Sequence, residues 1–509
     1  MTTNTLAKAT AAGLVALLLS SVSTTAFAQT DAEARIKALE EQLAVLSAQI
    51  ADLKEATAAD AADIRTIVSN TQVSIPAGRP TFTSGDGAFT ASLRGVLQYD
   101  VTSYQQDPAR ALAADPRRAG VGNADNGLAR DLSDGSNFRR ARLGIEGKVF
   151  TDWEYNFLFD FGGSGTENSG QISSMYLQYN GLGRWKARIG AFSPNSGLDE
   201  AGSTSGSLFA ERAAASEVVR GLNAGDGRSA FSVFGNGERW FASAAVTGNL
   251  VNTAITTDEQ LGATARIAYV PFKRENSLIH VGANLSTTLK PVPAAIGPGV
   301  ATNVRLRERP EARVDGTRFV DTGNIDADNL LALAFELAAQ HKNFTLQGEY
   351  FDIDVERRIA SPAGDPSFDG WYVQAGWTIT GEPRRYSIAT ASFDSPRPKK
   401  NFSLRDGGIG AWELAARYST LDLNYNEGVA GGALPAGGIR GGEQDIVTVG
   451  LNWYPNQTVR FMASFQDVSI DRLSPGGTFF GAAAGETPAA GTQVGQDFQI
   501  WSLRTQYAF

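Results

Sequence analysis

Short runs of alternating apolar and polar residues fill most of this chain. In 411–419, Trp412, Leu414, Ala416 and Tyr418 fall on one face, and Glu413, Ala415, Arg417 and Ser419 on the other. Successive side chains of a strand point to opposite faces, so this period of two predicts strands with one lipid face and one wet face. Residues 138–150 repeat the pattern: Ala141, Leu143, Ile145, Gly147 and Val149 oppose Arg140, Arg142, Gly144, Glu146 and Lys148. Val447, Val449, Leu451 and Trp453 form another apolar set. Val459, Phe461, Ala463 and Phe465 oppose Arg460, Met462, Ser464 and Gln466. Twelve further runs begin near Ala91, Asp152, Gln171, Arg184, Gly227, Arg239, Leu261, Ser277, Leu331, Phe344, Gly370 and Gln496, which makes sixteen. Two additional candidates are 313–321 and 385–393. The expected fold is an all-β transmembrane antiparallel barrel of sixteen or eighteen strands, because bacterial single-chain barrels have even strand numbers.

A soluble sandwich also alternates. Against it, Trp, Tyr and Phe cluster near strand ends on the apolar faces, as girdle residues do, and the opposite faces are charged. The chain closes with Trp501, Leu503, Tyr507 and Phe509 at alternating positions, an ending similar to the assembly signal of outer-membrane barrels.

The N-terminus has a different pattern. Lys8 precedes an apolar run over 11–19, and Ala26-Phe27-Ala28 supplies a small-x-small cleavage site, so 1–28 reads as a secretory signal peptide. Over 29–70, Ile36, Leu39, Leu43, Leu46, Ile50 and Leu53 follow 3-4-3-4-3 spacing, the a and d positions of a coiled coil. Thr57 and Asp60 interrupt the seam, and Ile64 and Ile67 resume it. Arg35 at g and Glu40 at the next e suit a parallel pair. Self-association, and a lone helix lying on the barrel mouth, are both compatible with this seam. A linker with Pro76 and Pro80 spans 71–86, and the barrel occupies 87–509.

Composition narrows the chemistry. The chain has 509 residues, no Cys, two His and a formal net charge of -9. Disulfides, thiolate metal sites and a Cys-linked lipid anchor are excluded, and a general nucleic-acid surface is disfavoured. His280 and His341 sit in no catalytic motif, and no phosphate loop or calcium loop is present, so neither catalysis nor a cofactor is expected.

Alternation puts Arg94, Arg140, Arg142, Lys186, Arg188, Arg417, Arg460 and Arg504 on the wet side, together with Glu146, Glu349 and Glu413. Rings of fixed charge set ion preference in a narrow pore, and a guanidinium can grip phosphate or carboxylate with two N–H groups. Mutual pairing of lumenal charges is the competing reading. Residues 193–222 form a long polar stretch with helical character over 207–219. Folded inward, it would bring Glu211, Arg212, Glu217 and Arg220 to a constriction; folded outward, it is a surface loop. A second basic cluster, Arg384, Arg385, Arg397, Lys399, Lys400 and Arg405, suits a pore mouth, a solvated loop or a contact with lipopolysaccharide phosphates.

Four stretches resemble the phosphate-selective porin O/P family. They are Arg139-Arg140-Ala141-Arg142-Leu143-Gly144-Ile145-Glu146-Gly147, Asp152-Trp153-Glu154-Tyr155, Trp377-Thr378-Ile379-Thr380-Gly381-Glu382, and Gly410-Ala411-Trp412-Glu413-Leu414-Ala415-Ala416-Arg417-Tyr418-Ser419. The resemblance covers roughly 80–509. It implies a sixteen-stranded barrel in the outer membrane of a Gram-negative bacterium, a homotrimer, and passive uptake of phosphate, polyphosphate or other small anions. The alternative is a general or carbohydrate/organic-acid porin with little anion selectivity. Outer-membrane lipid and lipopolysaccharide are the expected surroundings.

Overall fold

The computed structural model describes residues 30–106, 132–163, 170–476 and 489–509, so the expected signal peptide, 1–28, lies outside the described residues. The chain divides into two compact units at Thr71/Gln72.

Among the described residues, the first unit holds one helix, α1 (Thr30–Asn70). Ile36, Leu39, Leu43, Leu46, Ile50 and Leu53 are all exposed on it. The interrupting Thr57 hydroxyl donates to the Leu53 carbonyl at 2.6 Å, so it is satisfied within its own helix.

The second unit is a closed antiparallel barrel of sixteen strands. The strands are β1 (Thr90–Gln106), β2 (Gly135–Val149), β3 (Trp153–Asp160), β4 (Gln171–Leu182), β5 (Trp185–Ala191), β6 (Arg228–Asn236), β7 (Trp240–Leu250) and β8 (Leu261–Arg274). They continue with β9 (Ser277–Lys290), β10 (Ile325–His341), β11 (Phe344–Arg357), β12 (Ser367–Thr378), β13 (Ala411–Tyr425), β14 (Ile439–Tyr454), β15 (Val459–Asp471) and β16 (Asp497–Ala508). Each strand pairs with its successor, and β16 returns to β1 with Leu503 opposite Val101 and Arg504 opposite Asp100. Closure removes the open edge that no strand in hydrocarbon can tolerate. It ends on Phe509, which exchanges two 3.0 Å backbone hydrogen bonds with Gly95. A Cβ at Gly95 would sit 2.4 Å from the Phe509 ring, so glycine is needed there to seat the terminal aromatic.

The two faces separate as the alternation predicts. On β13, Glu413 and Arg417 are buried while Leu414 is exposed; on β15, Arg460 and Gln466 are buried while Phe461 is exposed. Outward aromatics form belts. At the short-turn end Trp412, Trp453 and Phe461 stack at 5.4 Å spacings, and Trp185 meets Trp240 at 5.6 Å. Nearer the other end, Trp371 pairs with Tyr418 at 5.2 Å and Phe465 with Trp501 at 4.7 Å.

Two expectations need correction. The eighteen-strand alternative fails: 313–321 and 385–393 do not join the wall. Arg307–Glu308 pairs with Val320–Asp321, and Arg385–Ser387 with Ser392–Asp394, as two separate small sheets. The stretch read as a linker, 71–86, is hydrogen-bonded to the barrel. Gln72–Ser74 pairs with Thr81–Thr83, which pairs with the start of β1.

Candidate functional site

Among the described residues, three connections fold into the barrel, and together they build the site. Residues 192–227, between β5 and β6, and residues 302–323, between β9 and β10, enter from the end with long loops. Residues 379–410, between β12 and β13, enter from the end with short turns.

The first connection contains α2 (Leu198–Ala201) and α3 (Ala214–Asn223). Helix α3 is amphipathic. Ala215, Val218 and Val219 recur at i, i+3, i+4 and pack on Leu330, Ile353, Val355, Phe368 and Leu421 of the inner wall, while Glu217 and Arg220 lie on its polar side. This explains why β10 reads as an almost unbroken apolar run. Its outward Leu333, Phe335 and Leu337 face lipid, and its inward Leu330, Ala332 and Ala334 face the inserted helix.

The helix starts later than the sequence suggests. Residues 207–213 are not helical because their carbonyls, and those just before them, serve the wall. Arg460 donates to Ser207 O at 2.6 Å and Leu208 O at 3.1 Å; Arg417 donates to Glu211 O at 3.0 Å. Arg384 and Arg504 donate to Gly206 O and Ala210 O. A carbonyl held by a guanidinium is not available to an i+4 amide.

The second connection locks the first. Glu311 accepts from Ala214 N at 2.9 Å at the start of α3, from Ser419 Oγ at 2.6 Å, and from Arg417. Its carboxylate lies where the positive end of a helix favours negative charge. Arg313 contacts Glu217 at 2.9 Å and Glu211 at 3.4 Å. Glu211 also takes Arg139 at 2.9 Å and Arg504 at 2.8 Å. Beside it, Arg220 contacts Glu200 at 2.5 Å, Glu217 at 3.0 Å and Asp226 at 3.2 Å. Arg142 bridges Asp160 at 2.7 Å and also holds Asp226.

Most of the inward basic residues therefore stand against carboxylates. Arg94 meets Glu146 at 3.1 Å, Arg212 meets Glu200 at 3.4 Å, and Arg384 meets Glu413 at 2.9 Å. Three differ. Arg140 donates to Gln98 at 2.7 Å; Arg188 donates to Gln178 and lies 4.2 Å over the Tyr176 ring; Arg460 donates to backbone carbonyls. Among the described residues none of these three has a carboxylate partner, and Arg140 Nε and Arg460 Nε are buried with no partner at all. Lys186 lies half-buried on the inner face of β5.

The basic cluster divides. Arg384 is buried in the lumen on Glu413, and Arg385 pairs with Asp394. Arg385 and Arg397 join Arg79, Arg94 and Arg460 around a cavity of about 290 Å³ at the short-turn end, where Asp394 supplies the sole carboxylate side chain among the lining residues. Lys399 and Lys400 are exposed and donate to the carbonyls of Gly381 and Asp406. Short turns face the periplasm in such barrels, so this cluster does not lie at the leaflet that carries lipopolysaccharide.

Sequence reasoning missed Arg139. A register shift opposite Gln98/Tyr99 places both Arg139 and Arg140 inside, whereas strict alternation sends one of them to lipid. It also missed the connection through 302–323. A signal was present: Arg305, Arg307, Arg309, Glu311 and Arg313 charge one face of a strand, and Glu308 and Pro310 interrupt the other.

The acid–base behaviour of the network follows. Burial opposes the charge on Glu217, but the guanidiniums of Arg220, Arg313 and Arg212 outweigh it and bring its pKa down to about 2. Glu211 is likewise buried, and Arg139 and Arg504 hold it well below the usual range. Burial pushes Asp199 and Glu308 up; the Asp199 amide donates to Glu349 Oε2 of β11 at 3.1 Å, a bond to the wall that does not use the Asp199 carboxyl. A carboxylate with a depressed folded pKa contributes stability that is complete above its unfolded value and lost as pH falls through the folded one. Docking of 192–227 is therefore expected to hold from about pH 7 to about pH 4 and to fail below roughly pH 3. Single-channel conductance against pH tests this; a conductance step between about pH 6 and 5 would contradict it.

Comparison with known proteins gives consistent matches. The model of the family described as Phosphate-selective porin O and P matches residues 117–509. Porin O of Pseudomonas aeruginosa is 26% identical over 363 residues, covering 68% of this chain and 79% of that protein. An uncharacterized protein of Caulobacter vibrioides is 26% identical over 409 residues, covering 78% of this chain and 72% of that one. Among solved structures, an anion-selective porin from Comamonas acidovorans superposes with a TM-score of 0.47 at 13% identity, over 83% of this chain and 100% of that chain.

Proposed function

Because the chain belongs to the family of phosphate-selective porins O and P, and so is a porin of the Gram-negative outer membrane, we propose that its pore prefers anions and passes phosphate and other small anionic solutes by passive diffusion. The observation that carries this reading is the set of inward cations without a carboxylate, Arg140, Arg188 and Arg460. A guanidinium stays protonated at any physiological pH, and in a narrow low-dielectric lumen its uncompensated charge acts over the whole cross-section. The paired arginines add little net field.

The proposal includes a homotrimer, with self-association of α1 through its exposed Ile/Leu seam. A second reading has its own support: most lumenal arginines stand against carboxylates, which favours a general porin with weak selectivity.

Planar-bilayer recording under a KCl gradient separates the two. An anion-signed reversal potential, moved toward zero by combined Arg140→Gln and Arg188→Gln, and a current reduced by added phosphate, is the expected result. A near-zero potential indifferent to phosphate would leave the general porin.

A further inference from the structure

The long-loop end holds a cavity of about 900 Å³ whose wall is unlike the cavity at the other end. That volume is at the upper end of small-molecule sites, which are mostly apolar with a few placed polar groups. Ile325, Ile359, Leu434, Ile439 and Pro475 supply an aliphatic side. The polar side carries Arg305, Arg357, Arg440 and Arg472 with Asp321 and Asp326. Both carboxylates are already neutralised. Asp321 accepts from Arg305 at 2.7 Å, and Asp326 accepts both Arg358 donors, at 2.9 and 2.6 Å.

Arg472 donates to the carbonyls of Arg440, Phe319 and Asp321, and two further cations face the cavity. Arg440 donates to the carbonyls of Glu427 at 2.8 Å and Ser474 at 2.8 Å, and Arg357 Nη2 donates to Gly437 O at 2.6 Å. Carbonyls hold these guanidiniums in place without cancelling their charge. Arg440 is buried and contributes a fixed field. Arg357 is half-exposed on the inner side of β11, and its bond to Gly437 O uses one of five guanidinium N–H groups, which leaves donors for an oxyanion.

An inorganic anion would gain from the charge and nothing from the aliphatic side. A hydrocarbon would gain the reverse. We propose that this outer vestibule binds organic anions with an apolar body, a carboxylate on an aromatic or branched aliphatic frame, with the carboxylate on Arg357 and the body against Ile359, Leu434 and Ile439. Such a site concentrates these solutes at the long-loop mouth ahead of the constriction. The inference rests on the porin reading but not on selectivity for phosphate.

The test uses full-length protein in planar bilayers, with benzoate as probe added to the long-loop side. Benzoate is expected to reduce single-channel current saturably, and acetate at equal concentration much less. Arg357→Gln is expected to weaken the benzoate effect about tenfold, the loss of one charge-assisted pair. Ile359→Ser, at an exposed loop position, is expected to weaken benzoate and leave acetate unchanged. Equal effects of benzoate and acetate, or a benzoate effect untouched by both substitutions, would overturn the proposal. The KCl reversal potential, read on the same channels, keeps the two ideas apart. Anion selectivity without a benzoate effect removes only this site. A benzoate effect in an unselective channel removes only the anion preference.

Discussion

Glu211→Ala is expected to open the pore. Its carboxylate joins three parts of the lumen: Arg139 on β2 at 2.9 Å, Arg504 on β16 at 2.8 Å, and Arg313 of the second inserted connection at 3.4 Å. All four side chains are nearly excluded from solvent. Removing one member of a buried ionic network leaves the others desolvated without compensation, which costs about 3–5 kcal/mol. The barrel wall does not need Glu211, because its ladder closes through β16 and β1. The cost is therefore expected to fall on docking of 192–227. Conductance should rise, and anion preference should rise with it, since one negative charge is lost among cations. Glu211→Gln keeps the shape and one acceptor oxygen, so its effect should be smaller. Heat-modifiable gel mobility checks that the barrel still forms. An intact barrel with unchanged conductance would show that 192–227 is held by its apolar side alone.

The strand wall was legible in the sequence because one physical rule governs it. A strand between lipid and water must alternate, and all sixteen expected runs correspond to strands. The constriction was less legible for two reasons. First, alternation states that a residue points inward but not what it meets there. Arg417, Arg460 and Arg504 read as pore-lining charges, yet they donate to carbonyls of residues 205–211 and fix the inserted connection. Arg417 and Arg504 also meet carboxylates, but the bonds that fix the connection go to backbone atoms, which carry no sequence signature. Second, local breaks in the rule escape a rule-based reading. The bulge at Arg139 is one such break. The connection through 379–410 is another, since it folds inward from the end where turns are normally short. Arg142 illustrates the outcome: it faces inward as expected, but Asp160 and Asp226 occupy its donors.

Arg266→Met is expected to release the connection through 379–410. Arg266 on β8 is fully buried and makes four bonds of 2.8 Å: two to Glu336 on β10, one to Thr390 O and one to Ala391 O. Glu336 also takes Asn284 at 2.7 Å and His280 at 3.1 Å, and His280 reaches the Tyr386 hydroxyl at 2.7 Å. The substitution leaves Glu336 without its guanidinium and two carbonyls of the small hairpin without a donor. A cost of about 3–5 kcal/mol is again expected, borne by 379–410 rather than by the wall. Conductance should rise as it does for Glu211→Ala, but by opening the short-turn side. The two connections touch: Leu198 and Phe393 share one apolar cluster, and Arg384 of the third connection donates to Gly206 O of the first. Groups in contact do not contribute independently. The double variant should therefore gain less than the sum of the two conductance changes, because each single substitution already loosens part of the other's support. A strictly additive result would mean that the pore has two independent gates, and that the Leu198–Phe393 contact carries no coupling between them.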